Sequence, residues 1–115
     1  VTAATAQLLE RLAATIEARR GADPARSYVA RLLAGEEDAL LKKLAEETAE
    51  AMLAAKAGDR GALVREMADL WFHCLVVLAR WGVGPAQVLG ELALREGVSG
   101  LDEKAARQSA QKDDR

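Results

Sequence analysis

Two long helix-forming segments, about Glu37–Ala57 and Arg60–Trp81, are separated by only Gly58 and Asp59. A glycine can end the first helix in a left-handed turn, and an aspartate can cap the second. Two helices joined by so short a link have to fold back on each other, so the sequence predicts an antiparallel hairpin at the centre of the fold. Gly82 closes the second helix of the pair.

Shorter segments surround this hairpin. Leu8, Leu9, Leu12 and Ile16 recur at helical spacing within about Thr5–Arg20, and Gly21 with Asp23-Pro24 marks the turn that follows. Ser27 can cap a short helix reaching Ala34, and Gly84-Pro85 opens a fifth helix ending near Gly97. Hydrophobic residues make up 50% of the chain, yet only Tyr28, Trp71, Phe72 and Trp81 are aromatic. Alanine and leucine carry the apolar content, and both favour helix over strand. The expected fold is an all-α bundle of about five helices, one domain over residues 1–107, with 108–115 as a frayed polar tail. A core of small side chains is thin, so the bundle is expected to be completed by dimerisation.

Charge and residue inventory exclude several functions. Sixteen basic against 18 acidic residues leave a net charge of −2, with no global footprint for nucleic acid. Cys74 is the single cysteine and His73 the single histidine, which rules out a Cys/His zinc site or a two-histidine metal site. An unpaired cysteine suits a reducing, cytoplasmic setting. The longest apolar run, around Leu70–Ala79, falls far short of the about 20 residues of a membrane span, and no signal-peptide pattern is visible.

The chemistry lies in acids that occupy the wrong face. At 3.6 residues per turn, Leu40, Leu44 and Ala51 define the apolar face of the Glu37–Ala57 helix, and Glu47 falls inside that arc. Glu50 follows on the same flank and Lys43 precedes Glu47 by one turn, while Glu46 turns toward the polar side with Lys42. The next helix is apolar nearly all round from Leu63 to Ala79, except for a stripe of Glu66, Asp69, His73 and Arg80. If the helices pack antiparallel, Glu47, Glu50, Glu66 and Asp69 share one small volume. Four carboxylates that close cannot all stay ionised unaided, and a divalent cation is the natural neutraliser. An all-oxygen ligand set favours Mg²⁺, with Mn²⁺ as the alternative. A ferritin-like di-iron centre would need two Glu-x-x-His motifs, which are absent.

Other residues admit two readings. His73 is either a satisfied core histidine or a direct participant, the former being the commoner case. Cys74 reads as packing on an apolar face. Lys42 and Lys43 are either solvated charges or phosphate contacts beside the acids.

The run Glu46-Glu47-Thr48-Ala49-Glu50, followed by Glu66-Met67-Ala68-Asp69, resembles the Glu-Glu-x-x-Glu and Glu-x-x-Asp signature of the all-α nucleoside triphosphate pyrophosphohydrolases, including MazG-like and dimeric dUTPase-like enzymes. Three further segments narrow the resemblance: Ser27–Leu33, Asp69-Leu70-Trp71-Phe72-His73 and Gly97–Lys104. They are similar to the phosphoribosyl-ATP pyrophosphatase family of histidine biosynthesis, over about Leu8–Arg107. The resemblance implies a Mg²⁺-dependent homodimer that hydrolyses phosphoribosyl-ATP to phosphoribosyl-AMP and pyrophosphate, and at this length no fused cyclohydrolase domain is expected. Glu47, Glu50, Glu66 and Asp69 would ligate the metal, and Glu46, Glu47 and Glu50 are the catalytic candidates, with Glu46 or Glu50 acting on the attacking water. Lys42, Lys43 and Arg65 would neutralise polyphosphate. Ser27, Arg31, Ser99, Gly100 and Lys104 lie in segments that would bind the phosphoribosyl and purine ends, although Ser99-Gly100 reads equally well as a simple turn. Two other readings stay open: a housecleaning pyrophosphohydrolase acting on NTPs or dNTPs, and a non-catalytic helical dimerisation module.

Overall fold

A computed structural model describes residues 7–97 and 100–113, and among them all regular structure is helical. Six helices follow one another: α1 (Leu8–Ala18), α2 (Tyr28–Ala34), α3 (Glu37–Ala57), α4 (Arg60–Arg80), α5 (Pro85–Leu94) and α6 (Gly100–Asp113). The first five match the expected segments. The sixth is additional, and it runs through Gln108–Asp113, where the composition suggested a frayed end. Its residues are polar and helix-compatible but carry no apolar stripe, which is the signal that sequence reading depends on. The chain divides into two compact units, Val1–Pro85 and Ala86–Arg115.

In the first unit, α3 and α4 make the dominant packing pair, and α1 and α2 both pack on α4. The turn between the long helices works as the sequence implies. Gly58 adopts φ 73°, in the left-handed region, and Asp59 accepts the Ala62 amide at 3.0 Å through its side chain. Ser27 caps α2 in the same way, accepting the Ala30 amide at 3.1 Å.

Ile16, Leu40, Leu75 and Val76 form the buried core, with Leu9, Leu12, Val29, Leu32 and Phe72 packed around them. Each of the four helices α1–α4 contributes to that cluster. Arg80 adds a polar tie at one end. Its guanidinium donates to the carbonyls of Leu33 (3.1 Å) and Gly35 (2.9 Å) and lies 3.6 Å from the Glu37 carboxylate. A cation at the end of α2, where carbonyls lack partners, also meets the negative pole of that helix. The Arg80 of the sequence-level polar stripe is thus a structural clamp that joins α2, α3 and α4.

The opposite side of α4 is apolar and exposed at Val64, Trp71 and Cys74, while Met67 is half-buried and Leu78 packs on the core. Val64, Met67, Trp71, Cys74, Leu78 and Trp81 recur at alternating steps of three and four residues, the spacing of a coiled-coil seam. Val64 is 70% exposed and Trp71 59%. Cys74 belongs to this exposed stripe of the apolar face and not to the core. A helix that is apolar all round does not reveal which of its faces meets the rest of its own chain.

In the second unit, α5 and α6 are amphipathic only weakly, and Leu92, Leu94 and Leu101 are exposed. No helix among the described residues is long and apolar enough to cross a membrane.

Two substitutions test this packing. Leu40→Ala, at a position 1% exposed, should lower unfolding stability in urea by about 2–5 kcal/mol. Asp59→Ala should cost about 1 kcal/mol through loss of the α4 cap. Leu40→Ala with an unchanged urea midpoint would contradict the core assignment.

Candidate metal centre

Glu47 is the structural oddity of the hairpin. It projects from the middle of α3 toward α4 and is only 4% exposed, although it is charged. Lys43, one turn earlier, places Nζ 3.0 Å from Glu47 Oε1. That contact holds the Glu47 carboxyl below its ordinary pKa despite burial. The second oxygen, Oε2, is buried and has no hydrogen-bond partner. An ionised oxygen left without a donor in a buried site is destabilising unless a cation answers it.

What faces that oxygen is more acid. Carboxylate oxygens of Glu47, Glu66 and Asp69 all lie within 4.8 Å of one another. Glu66 and Asp69 stand one turn apart on the inward side of α4, opposite its exposed seam. Glu50 joins from α3: its carboxyl lies beside those of Glu66 and Glu47, and their proximity raises its pKa, with the hydrogen bond to Glu66 the largest cause. The antiparallel pairing therefore gathers the four acids expected from the helical wheel. Three form the tight group, and Glu50 sits at its exposed margin.

The donor set fits a hard divalent cation. It is all oxygen, it includes an orphaned buried acceptor, and one base, Lys43, contacts it directly. Lys43 also lies 3.9 Å from Glu46, which is exposed about 100° around α3 from Glu47. Lys42 is exposed and about 140° around the helix from Glu47, turned away from the cluster. Arg65 is exposed on α4 one turn before Asp69, its guanidinium near Gly61.

The remaining candidates lie on other elements. Ser27 is buried as the α2 cap, and the exposed Arg31 donates to the Pro24 carbonyl at 3.3 Å. Gly100 and Lys104 are exposed on α6 in the second unit. Ser99 lies outside the described residues.

His73 resolves as a satisfied buried histidine. Its Nδ1 lies 2.7 Å from the Asp69 carbonyl and its Nε2 2.8 Å from the Tyr28 hydroxyl. The sequence reading missed Tyr28 as a neighbour of the site. It heads a short helix 45 residues from His73, and no periodicity links them.

Such a site defines an all-α protein whose central helix hairpin gathers carboxylates around one focus. Comparison with known proteins supplies the family. The phosphoribosyl-ATP pyrophosphohydrolase profile matches residues 9–96. The chain is 55% identical over 104 residues to a phosphoribosyl-ATP pyrophosphatase of Nitrosomonas eutropha, covering 90% of this chain and 89% of that protein. A phosphoribosyl-ATP pyrophosphatase of Methylibium petroleiphilum is 61% identical over 99 residues, with 86% and 82% covered. One from Burkholderia ambifaria is 50% identical over 118 residues, covering 99% and 98%. The chain belongs to the phosphoribosyl-ATP pyrophosphohydrolase family.

Mutual repulsion among the acids has a measurable sign. Because the folded-state pKa of Glu50 is raised, its protonated form favours folding and its ionised form opposes it. That contribution is lost as pH rises through the folded pKa. Glu50→Gln in EDTA at neutral pH should therefore raise Tm relative to the parent, and acidification should narrow the difference. A lower Tm for the variant in EDTA would contradict the repulsion.

Proposed function

We propose that this chain hydrolyses phosphoribosyl-ATP between the α and β phosphates, releasing phosphoribosyl-AMP and pyrophosphate in histidine biosynthesis, with Mg²⁺ held by Glu47, Glu66, Asp69 and Glu50. The observation that carries the metal reading is the buried, unpartnered Oε2 of Glu47 at the focus of three carboxylates. A divalent cation held there would supply positive charge against the phosphate oxygens of the substrate.

The protein's own groups divide the remaining work. Lys43 fixes Glu47 through Oε1 and so aims Oε2 into the cluster. Glu50, exposed beside Glu66 and Glu47, reaches both the acids and solvent, and a carboxylate oxygen of Glu50 takes the proton from the attacking water. Glu46 is the less suitable base, since it projects away from the cluster. Arg65, near the Asp69 turn, and Lys43 offset the negative charge of the polyphosphate. Mn²⁺ satisfies the same oxygen donors.

The working unit is a homodimer in which the exposed α4 seam packs against a second copy. A run of apolar residues at coiled-coil spacing, headed by Val64 and Trp71, supports this arrangement. The unpaired Cys74 fits a reducing cytoplasm.

Pyrophosphate release should be measured on phosphoribosyl-ATP and on a panel of dNTPs, with and without Mg²⁺. Release from phosphoribosyl-ATP that needs Mg²⁺ is the expected result, and activity confined to dNTPs would overturn the substrate. Glu47→Gln and Asp69→Asn should each lower turnover by about 100-fold or more with helical content unchanged. Normal Mg²⁺-dependent turnover in either would remove that ligand from the set. Sedimentation should show a dimer, and a stable monomer at working concentration would contradict the seam.

A further inference from the structure

We propose that Tyr28 is a positioning residue for the carboxylate cluster, acting through His73 on the turn of α4 that carries Asp69. The proposal rests on the reading of that cluster as a metal site.

The hydrogen bonds run in one direction. A carbonyl oxygen only accepts, so His73 Nδ1 carries the proton it donates to the Asp69 carbonyl at 2.7 Å. In the neutral ring Nε2 is then a bare acceptor, and the Tyr28 hydroxyl, 2.8 Å away, donates to it. The ring is 5% exposed, so water is not a ready substitute for the phenol. The two rings meet edge to face, with centroids 5.8 Å apart.

The bond from His73 to the Asp69 carbonyl spans one turn and adds to the helix ladder. It fixes the backbone from which the Asp69 carboxylate projects. One phenol at the head of α2 thus stands behind the support of an acid on α4. The effect of Tyr28 on the Asp69 turn travels through His73.

Removing the hydroxyl has a defined consequence. In Tyr28→Phe the buried Nε2 loses its donor. With that side of the ring no longer anchored, the imidazole can turn, and the Nδ1 donation to the Asp69 carbonyl is weakened. Partners that orient a metal's ligands are typically worth about 10- to 100-fold in metal affinity or activity.

The chain has a single histidine, so its ring nitrogens can be observed without assignment. The full-length protein labelled with ¹⁵N-histidine and freed of metal should show the Nδ1-protonated tautomer. Tyr28→Phe should shift both ring nitrogen resonances and weaken calorimetric Mg²⁺ binding about 10-fold, with the far-UV spectrum unchanged. In turnover, kcat should fall more than the substrate KM rises.

A wild-type spectrum of the Nε2-protonated tautomer would overturn the proposal, whether or not the variant folds. So would an unchanged Mg²⁺ affinity in Tyr28→Phe when Asp69→Asn loses binding, which leaves the metal reading standing. Asp69→Asn binding Mg²⁺ like the parent would instead overturn the metal reading, and this proposal with it.

Discussion

An ionised side chain buried at the contact between two helices organises the first unit of this protein. Glu47 sits where a leucine would pack better, with one oxygen held by Lys43 and the other unanswered. Leaving it there is tolerable only if the surroundings stabilise negative charge, yet the nearest neighbours across the hairpin are Glu66 and Asp69. The fold therefore concentrates charge of one sign against its own stability. Natural proteins accept strain of this kind where function needs it, and a cation-binding site is the arrangement that turns the repulsion into affinity.

The rest of the unit holds that arrangement in place. Leu40 and Val76 pack the two long helices together, and Ile16 from α1 joins them in one buried cluster. Arg80 ties the ends of α2, α3 and α4 through carbonyls that would otherwise lack donors. The short helix α2 appears minor by length, but its first residue supplies the hydroxyl that completes the hydrogen bonding of His73. Nearly all the polar groups on the inward side of α4 are thus committed either to structure or to the carboxylate focus.

Much of the hairpin is legible in the sequence. Glycine and aspartate at positions 58 and 59 act through local backbone preference, so the ends of α3 were readable to the residue. The inward placement of Glu47 followed from helical periodicity alone. Other features were not legible. Helix α6 lacks an apolar stripe, and the direction in which Cys74 points depends on which side of an all-round apolar helix the other helices choose. Lys42 and Lys43 are adjacent in sequence but about 100° apart on the helix, and only Lys43 contacts the acids.

The sequence by itself determined the helical class, the central hairpin and the identity of the four clustered acids. These depend on capping residues and on a period of 3.6, both of which are local. The tertiary structure decided what the acids experience: which oxygen of Glu47 is left without a partner, which of the four stands at the margin, and that Tyr28 reaches His73. Those outcomes depend on the rotation and depth at which helices from distant parts of the chain pack. No local pattern encodes such quantities, because they are set by how all the side chains at the contact fit together at once.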